Sequence, residues 1–309
     1  MNKIVVTGAA GFIASSFIKE CLNRDLTVFA LDIVEEPITL PLNNHNLLYK
    51  KIDVYNFDDV QKFLNDKGID TFFHFAWIGS SGLLRNDYKC QINNALSVVE
   101  LIKVAKKVGC KKFITAGTIM EYEAFDAIYA QESSPHLAYI YGIGKLLAHM
   151  LAKPVANDVG IDLVWTLITN TYGVGELSPR LVNSTIRKCI NHEELNFTAA
   201  TQNYDFIYID DVARAFYLLG EKGIKNKQYV IGSGQAKPLK EFLISLVKIC
   251  DANAILHFGS IPFTGVNQSL ATFSIEEIKK DCGFVPSVSF EEGIKRTFEW
   301  LKEIENAKI

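Results

Sequence analysis

Short β-branched or aromatic runs alternate with longer segments of helical period from the start of the chain, and this rhythm restricts the fold more than any other feature. The runs are Lys3–Val6, Leu26–Leu31, Leu47–Ile52, Thr71–Phe75, Lys112–Thr115 and Ile161–Ile168. Strands separated by helix-length segments are not joined as hairpins; they imply repeated βαβ units and a parallel sheet covered by helices on both faces. Between Asn93 and Lys107, Leu96, Val99, Leu101, Ile102, Val104 and Ala105 form an apolar stripe, Lys103, Lys106 and Lys107 lie largely off it, and Gly109 marks a stop. After Ile168 the rhythm changes, with Gly173, Gly175 and Pro179 in one loop, so a boundary is expected near residue 170. Beyond it, helices are expected around 211–221, 239–250, 274–281 and 290–305, with a short strand at Tyr229–Ile231.

A chain of 309 residues that is 49% hydrophobic buries a large core as one large domain or two unequal ones. Its 32 basic and 35 acidic side chains give a net charge of −3 without a basic cluster, which excludes nucleic acid as the expected partner. Six cysteines (Cys21, Cys90, Cys110, Cys189, Cys250 and Cys282) have no close pair, which suits free thiols in a reducing compartment and gives no metal site. No apolar run reaches the roughly 18 residues of a membrane span. Met1-Asn2-Lys3 leads straight into Ile4-Val5-Val6 without a leader pattern, so the expected location is cytoplasmic.

Directly after the first run comes Thr7-Gly8-Ala9-Ala10-Gly11-Phe12-Ile13-Ala14, followed by a helical segment. Glycines at 8 and 11 let the backbone approach a pyrophosphate while the helix N-terminus points free N–H groups at it; Ala14 stands at the tight helix–strand contact. The second run ends at Asp32, where a carboxylate accepts hydrogen bonds from an adenosine ribose and repels a 2′-phosphate, favouring NAD over NADP. An ordinary strand-end turn is the alternative for Asp32.

Tyr141-Gly142-Ile143-Gly144-Lys145 opens a predicted helix to about Asp158, which Pro154 is expected to kink or interrupt. A spacing of four places Tyr141 and Lys145 on one face, where an ammonium lowers the pKa of a phenol and lets it take a proton from an alcohol. Such pairs are common on helix surfaces. Here the pair follows five apparent βα units and lies downstream of Thr115-Ala116-Gly117-Thr118, at the strand ends where ligands of open α/β sheets gather. Thr118 is the candidate hydrogen-bond partner of the reacting substrate oxygen, with a helix or turn cap as the competing role.

At these residues the sequence resembles the extended short-chain dehydrogenase/reductase family of NAD-dependent nucleotide-sugar epimerases, dehydratases and reductases, over essentially the whole chain. The resemblance implies a Rossmann-type doubly wound α/β fold, with an NAD-binding domain over 1–170 and a smaller, mainly substrate-binding segment over 171–309, part of which returns to the first domain. It implies catalytic Thr118, Tyr141 and Lys145, the last two also touching the cofactor. Cofactor contacts are implied at Thr7, Gly8, Gly11, Phe12, Ile13, Asp32, Asp53, Val54, Phe75 and Ala76. Asn170-Thr171-Tyr172-Gly173, Asp205-Phe206-Ile207-Tyr208-Ile209-Asp210-Asp211 and Glu291-Glu292-Gly293-Ile294 fit later motifs of the family.

Where relatives that bind a nucleoside diphosphate sugar carry arginines, this chain has Tyr204 and Thr264, so Arg85, Arg180 or Arg187 stand as substitutes, with Asn170 and Tyr204 as further substrate-binding candidates. Ile119-Met120 occupies the place of the Asp-Glu pair used by sugar 4,6-dehydratases, which disfavours that reaction. Nearby Glu121 and Glu123 have a different offset and read as structural or substrate-edge residues. The expectation is therefore an NAD-dependent enzyme that oxidises a sugar hydroxyl, at C4 of a nucleotide-linked sugar, and re-reduces it. The alternatives are a 4-keto-deoxysugar reductase and a catalytically silent NAD-binding regulator. Dimerisation through helices near 86–107 and 139–158 is implied by the resemblance alone.

Overall fold

The computed structural model describes residues 1–307. The chain forms two compact units, each built from three segments. The first comprises Met1–Ile168, Ala213–Ile231 and Glu276–Phe284; the second comprises Thr169–Val212, Gly232–Ile275 and the segment from Val285 onward. No helix among the described residues is long and apolar enough to cross a membrane.

In the first unit, strands β1 (Lys3–Thr7), β2 (Thr27–Asp32), β3 (Leu47–Lys51), β4 (Thr71–His74), β5 (Lys112–Thr118) and β6 (Asp162–Ile168) join the strand Lys227–Ile231 in one sheet. The order is β3-β2-β1-β4-β5-β6 and then Lys227–Ile231, with every neighbouring pair parallel. Ile4, Val5, Val6 and Thr7 are all buried, as a strand covered on both faces requires.

On one face, Val98, Leu101, Ile102 and Ala105 of helix α3 (Tyr88–Lys107) pack with Ala148, Ala152 and Ala156 of helix α5 (Ile140–Val159) over Phe72, Phe113 and Trp165. Elsewhere in the unit Phe17 of helix α1 (Phe12–Leu22) meets Phe73 at 4.5 Å between ring centroids, and Phe75 meets Phe216 at 4.7 Å. Burial of these side chains, at about 1.5–3 kcal/mol each, is the main force holding helices to sheet. Because β1 lies between β2 and β4, the chain's path reverses there, and a crevice opens beyond the carboxyl ends of β1 and β4.

Two helices differ from the sequence expectation. Helix α3 begins at Tyr88 rather than Asn93, because the Asp87 side chain caps it by accepting from the Cys90 amide at 2.9 Å. Helix α5 runs through Pro154 without ending; Pro154 and Met150, whose carbonyl loses its i+4 amide partner, are both exposed. Helix α2 (Phe57–Leu64), helix α4 (Met120–Tyr129) and the helix Leu181–Ile190 add to the elements read from the sequence.

The second unit has short pairings instead of a large sheet. Asn170–Tyr172 runs parallel to Phe206–Tyr208, Leu195–Phe197 parallel to Leu256–Phe258, and Asn203–Tyr204 antiparallel to Lys237–Pro238. Tyr172, Phe206, Phe242 and Phe290 form an aromatic cluster, with Phe242 and Phe290 centroids 4.9 Å apart. Two aspartates tie loops to this cluster. Asp205, fully buried, accepts from Thr169 Oγ1 at 2.8 Å and from the Ser233 amide at 2.8 Å; Asp211 accepts from the Ser287 and Val288 amides at 2.9 Å.

His74 sits buried at the end of β4, with Nδ1 2.8 Å from Thr7 Oγ1, and burial pulls its imidazole down to about 3, Lys145 adding to the effect. It therefore stays neutral in the fold while the unfolded chain takes up a proton below about 6.5. Stability must fall as pH drops from about 6.5 toward 3, by up to about 1.4 kcal/mol per pH unit from this one group. Denaturant unfolding of His74→Gln, which retains a partner for Thr7, should show a slope shallower by one proton over that interval.

Candidate active site

At the carboxyl end of β1 the chain turns through Gly8 with φ +67°, and a Cβ there would lie 2.7 Å from the Ala76 amide nitrogen. Only glycine permits both this backbone and this approach. Gly11, at the head of α1, offers no side-chain cap, so the leading amides of α1 have no acceptor within the helix. Thr7 is buried, its hydroxyl bridging β1 to β4 through His74. Phe12 and Ile13 are half-buried in the first turn of α1. Asp32, at the end of β2, accepts from the Ala10 amide at 2.9 Å and the Val34 amide at 3.1 Å, leaving further lone pairs on both oxygens.

Beyond β3, Asp53 is exposed and turns the chain by accepting from the Tyr55 amide at 3.0 Å, while Val54 is buried. Phe75 and Ala76 follow β4 and are half-buried beside the glycine turn. A cradle that a Cβ would fill, unpaired helix amides and a carboxylate one strand over fit a dinucleotide.

Tyr141 and Lys145 occupy one buried face of α5. Lys145 Nζ donates to the Ala116 carbonyl of β5 at 2.6 Å and stands 3.6 Å from the centroid of the Trp77 ring. Burial pulls its ammonium down to about 7, and the Glu121 carboxylate works in the opposite direction. Thr118 is buried at the last position of β5, where its Oγ1 accepts from the Met120 amide at 3.3 Å. A hydroxyl that accepts one bond in this way can still donate its own proton to a ligand oxygen.

The close packing that brings α5 to this place rests on small residues. A Cβ at Gly142 would meet the Met120 carbonyl at 2.7 Å, and one at Gly144 would meet Gln91 Cβ at 2.8 Å.

Arg85 lies over the Tyr141 ring, 4.1 Å from its centroid, and donates to the Ser80 carbonyl at 2.8 Å. Burial pushes the nearby Glu123 carboxyl up to about 7, with Arg85 opposing. Trp77, Gln91 and Asn94 belong to the same neighbourhood and were missed from the sequence. Trp77 Nε1 donates to Gln91 Oε1 at 2.7 Å, Gln91 Nε2 donates to the Leu84 carbonyl at 3.0 Å, and Asn94 Nδ2 donates to the Ile78 carbonyl at 2.8 Å. Their signal was present: continuing the α3 stripe backward from Leu101 and Val98 reaches Asn94 and Gln91, polar residues on an apolar face.

The remaining candidates belong to the second unit. Asn170 Nδ2 donates to the Asp205 carbonyl at 3.1 Å, so its amide already serves the local fold. Tyr204 stacks 5.7 Å from Phe206. Arg180 is exposed at the head of the helix Leu181–Ile190, 3.7 Å from the Glu176 carboxylate, and Arg187 is paired with Glu305.

A model of the NAD dependent epimerase/dehydratase family matches residues 4–232. The chain is 24% identical, across 98% of its length, to a trifunctional UDP-glucose 4,6-dehydratase/UDP-4-keto-6-deoxy-D-glucose 3,5-epimerase/UDP-4-keto-L-rhamnose-reductase of Arabidopsis thaliana, and covers 47% of that protein. It thus spans about half the length of some curated relatives it matches. It is 22% identical to the dTDP-4-dehydro-6-deoxyglucose reductase of Escherichia coli, over 97% of this chain and 98% of the reductase. Among solved structures, UDP-glucose 4-epimerase of Thermotoga maritima with UDP-glucose superposes with a TM-score of 0.79 at 25% identity, covering 98% of this chain and 99% of the epimerase.

Calorimetric titration of Gly8→Ala with NAD tests the turn. Given the overlap with Ala76 and the positive φ, affinity should fall at least about 100-fold, roughly 2.8 kcal/mol, with thermal stability reduced far less than would account for it.

Proposed function

This chain belongs to the NAD dependent epimerase/dehydratase family, and from that membership and the Tyr141–Lys145–Thr118 geometry we propose that it is an epimerase acting on a sugar hydroxyl, at C4 of a nucleotide-activated sugar. The observation that carries the reading is the buried Lys145 ammonium, one helical turn from Tyr141 and bonded to the Ala116 carbonyl of β5, two residues before Thr118. NAD, held by the Gly8–Gly11 turn, the leading amides of α1 and Asp32, supplies the hydride acceptor when bound.

Tyr141 then serves as the base. Its phenolate, stabilised by the Lys145 ammonium, takes the proton of the sugar hydroxyl, while the Thr118 hydroxyl donates a hydrogen bond to the same oxygen as it becomes a carbonyl. With the ketone turned over in the site and the hydride given back to the other face of its carbon, Tyr141 returns the proton to the oxygen, which leaves the hydroxyl in the opposite configuration. Ile119-Met120 offers no acid–base pair for removing water across C5 and C6, so elimination is not part of this reading. Arg85, over the phenol ring, is proposed as a contact to the sugar or its carrier. Asn170, Arg180 and Tyr204 are proposed as substrate-binding residues of the second unit.

A second reading, reduction of a 4-keto-deoxysugar, is favoured by the end-to-end match to the Escherichia coli reductase. We further propose a homodimer through α3 and α5. Tyr88, Ile92 and Leu96 recur at four-residue intervals on α3 and are exposed, as is Met150 on α5.

Tyr141→Phe should lower turnover about 100- to 10,000-fold while NAD affinity stays within about threefold; equal turnover in mutant and parent would remove Tyr141 from the chemistry. With UDP-glucose and related nucleotide sugars, the epimerase reading expects isomer formation without net change in NADH, whereas stoichiometric NADH loss with a 4-keto sugar assigns the reductase. The double substitution Ile92→Asp, Leu96→Asp should convert a sedimenting dimer to monomer, and a parent that sediments as a monomer would sink the dimer.

A further inference from the structure

Glu121 is the most enclosed carboxylate near Lys145, at 3% exposure. It begins as an ordinary device: Thr118-Ile119-Met120-Glu121 forms a capping box in which Thr118 Oγ1 accepts from Met120 and Glu121 Oε1 accepts from the Thr118 amide at 3.0 Å. A cap of this kind works at the surface. Here the same Oε1 also accepts from Trp165 Nε1 at 3.0 Å, and Oε2 lies 2.9 Å from His149 Nδ1. Gly117 makes the room, since a Cβ there would stand 2.5 Å from Glu121 Oε1.

His149 in turn lies flat on Trp165, with centroids 4.4 Å apart and planes 3° from parallel. Tyr141, Lys145 and His149 follow at intervals of four along one face of α5. Burying a carboxylate this deeply costs several kcal/mol unless a neighbouring charge repays it, and a helix cap alone does not require that burial.

We propose that Glu121, fixed by Thr118, Trp165 and His149, is a positioning residue of the Tyr141–Lys145–Thr118 site, keeping Lys145 charged and aiming Thr118. The proposal rests on the catalytic reading above for its purpose, and for its geometry on the Glu121–Thr118 bond together with the Lys145 bond to Ala116, two residues before Thr118 on β5. Lys145 is faced by Glu121 from α4, by His74 from β4 and by Tyr141 and His149 from its own helix; Arg85 lies over the Tyr141 ring. Of these groups Glu121 is the anion whose loss bears directly on the ammonium. Through the Thr118 amide the same carboxylate sets the turn from which the Thr118 hydroxyl points.

The test uses Glu121→Gln, which keeps the acceptor for Thr118 and Trp165 and removes the charge. In protein labelled with ¹³C at lysine Cε, the Lys145 signal, assigned by its loss in Lys145→Met, is titrated with neither NAD nor sugar present. Its midpoint should fall by about one pH unit or more relative to the parent. Turnover should fall about 10- to 100-fold with NAD affinity within about threefold. A midpoint unmoved by the substitution overturns the proposal, because a purely structural cap leaves Lys145 indifferent to the charge. Should Glu121→Gln not fold, Glu121→Asp decides: it keeps the charge but draws the carboxylate back from the Thr118 amide, so turnover should fall about 10-fold or more with NAD affinity within about threefold, and turnover equal to the parent's overturns the proposal. Absence of turnover on every nucleotide sugar would sink the catalytic reading and leave the titration result standing.

Discussion

The constraint on which the site depends is the burial of one ammonium. Lys145 is withdrawn from water and compensated by a single carbonyl at 2.6 Å, the face of Trp77 and the field of Glu121. A cation held this way must be reached by elements that approach closely from several directions, which explains features otherwise unrelated. Gly142 and Gly144 precede it in sequence because α5 has to lie against the start of α4 and against Gln91 of α3. Trp77 is held in place by Gln91, which also ties down the Leu84 carbonyl. Burial, with this cation adding to it, leaves His74 neutral, its ring engaged with Thr7 across β1 and β4.

The glycine turn after β1 obeys a different constraint, that of backbone proximity. Gly8 comes so near Ala76 that the end of β1 and the end of β4 form one wall, and Asp32 secures the turn by accepting from Ala10 while retaining lone pairs for a ligand. Strand order makes this possible: β1 lies between β2 and β4, so the chain leaving β1 stands beside the chain leaving β4. The acidic motif around Asp205 to Asp211 serves the second unit, where its buried aspartates hold the turns at Ser233 and at Ser287.

Most of the parallel sheet was legible in the sequence because strands buried on both faces leave continuous β-branched and aromatic runs, and these runs matched β1 to β6 within a few residues. Helix ends were less legible. Asp87 starts α3 a turn early through a local cap, and Pro154 stays inside α5 because the carbonyl it deprives lies at an exposed part of the helix. Tyr141 and Lys145 were visible as a spacing, as were Gly8 and Gly11 as a turn. The contacts of Trp77, Gln91, Asn94, Glu121 and His149 across the fold were not, because these residues come from four separate segments and no local pattern pairs Trp77 with Gln91 or Glu121 with His149.

By itself, then, the sequence determined the order of elements, the glycine turn at Gly8–Gly11 and the helical face shared by Tyr141 and Lys145, since each follows from spacings of a few residues and from backbone rules that act locally. Tertiary structure alone decided which carbonyl receives Lys145, which ring covers it, that Arg85 lies over the phenol, and that Glu121 is buried rather than solvated. Those outcomes depend on residues distant in the chain being packed at contact distance, and the charge state of a side chain follows from the water that such packing removes.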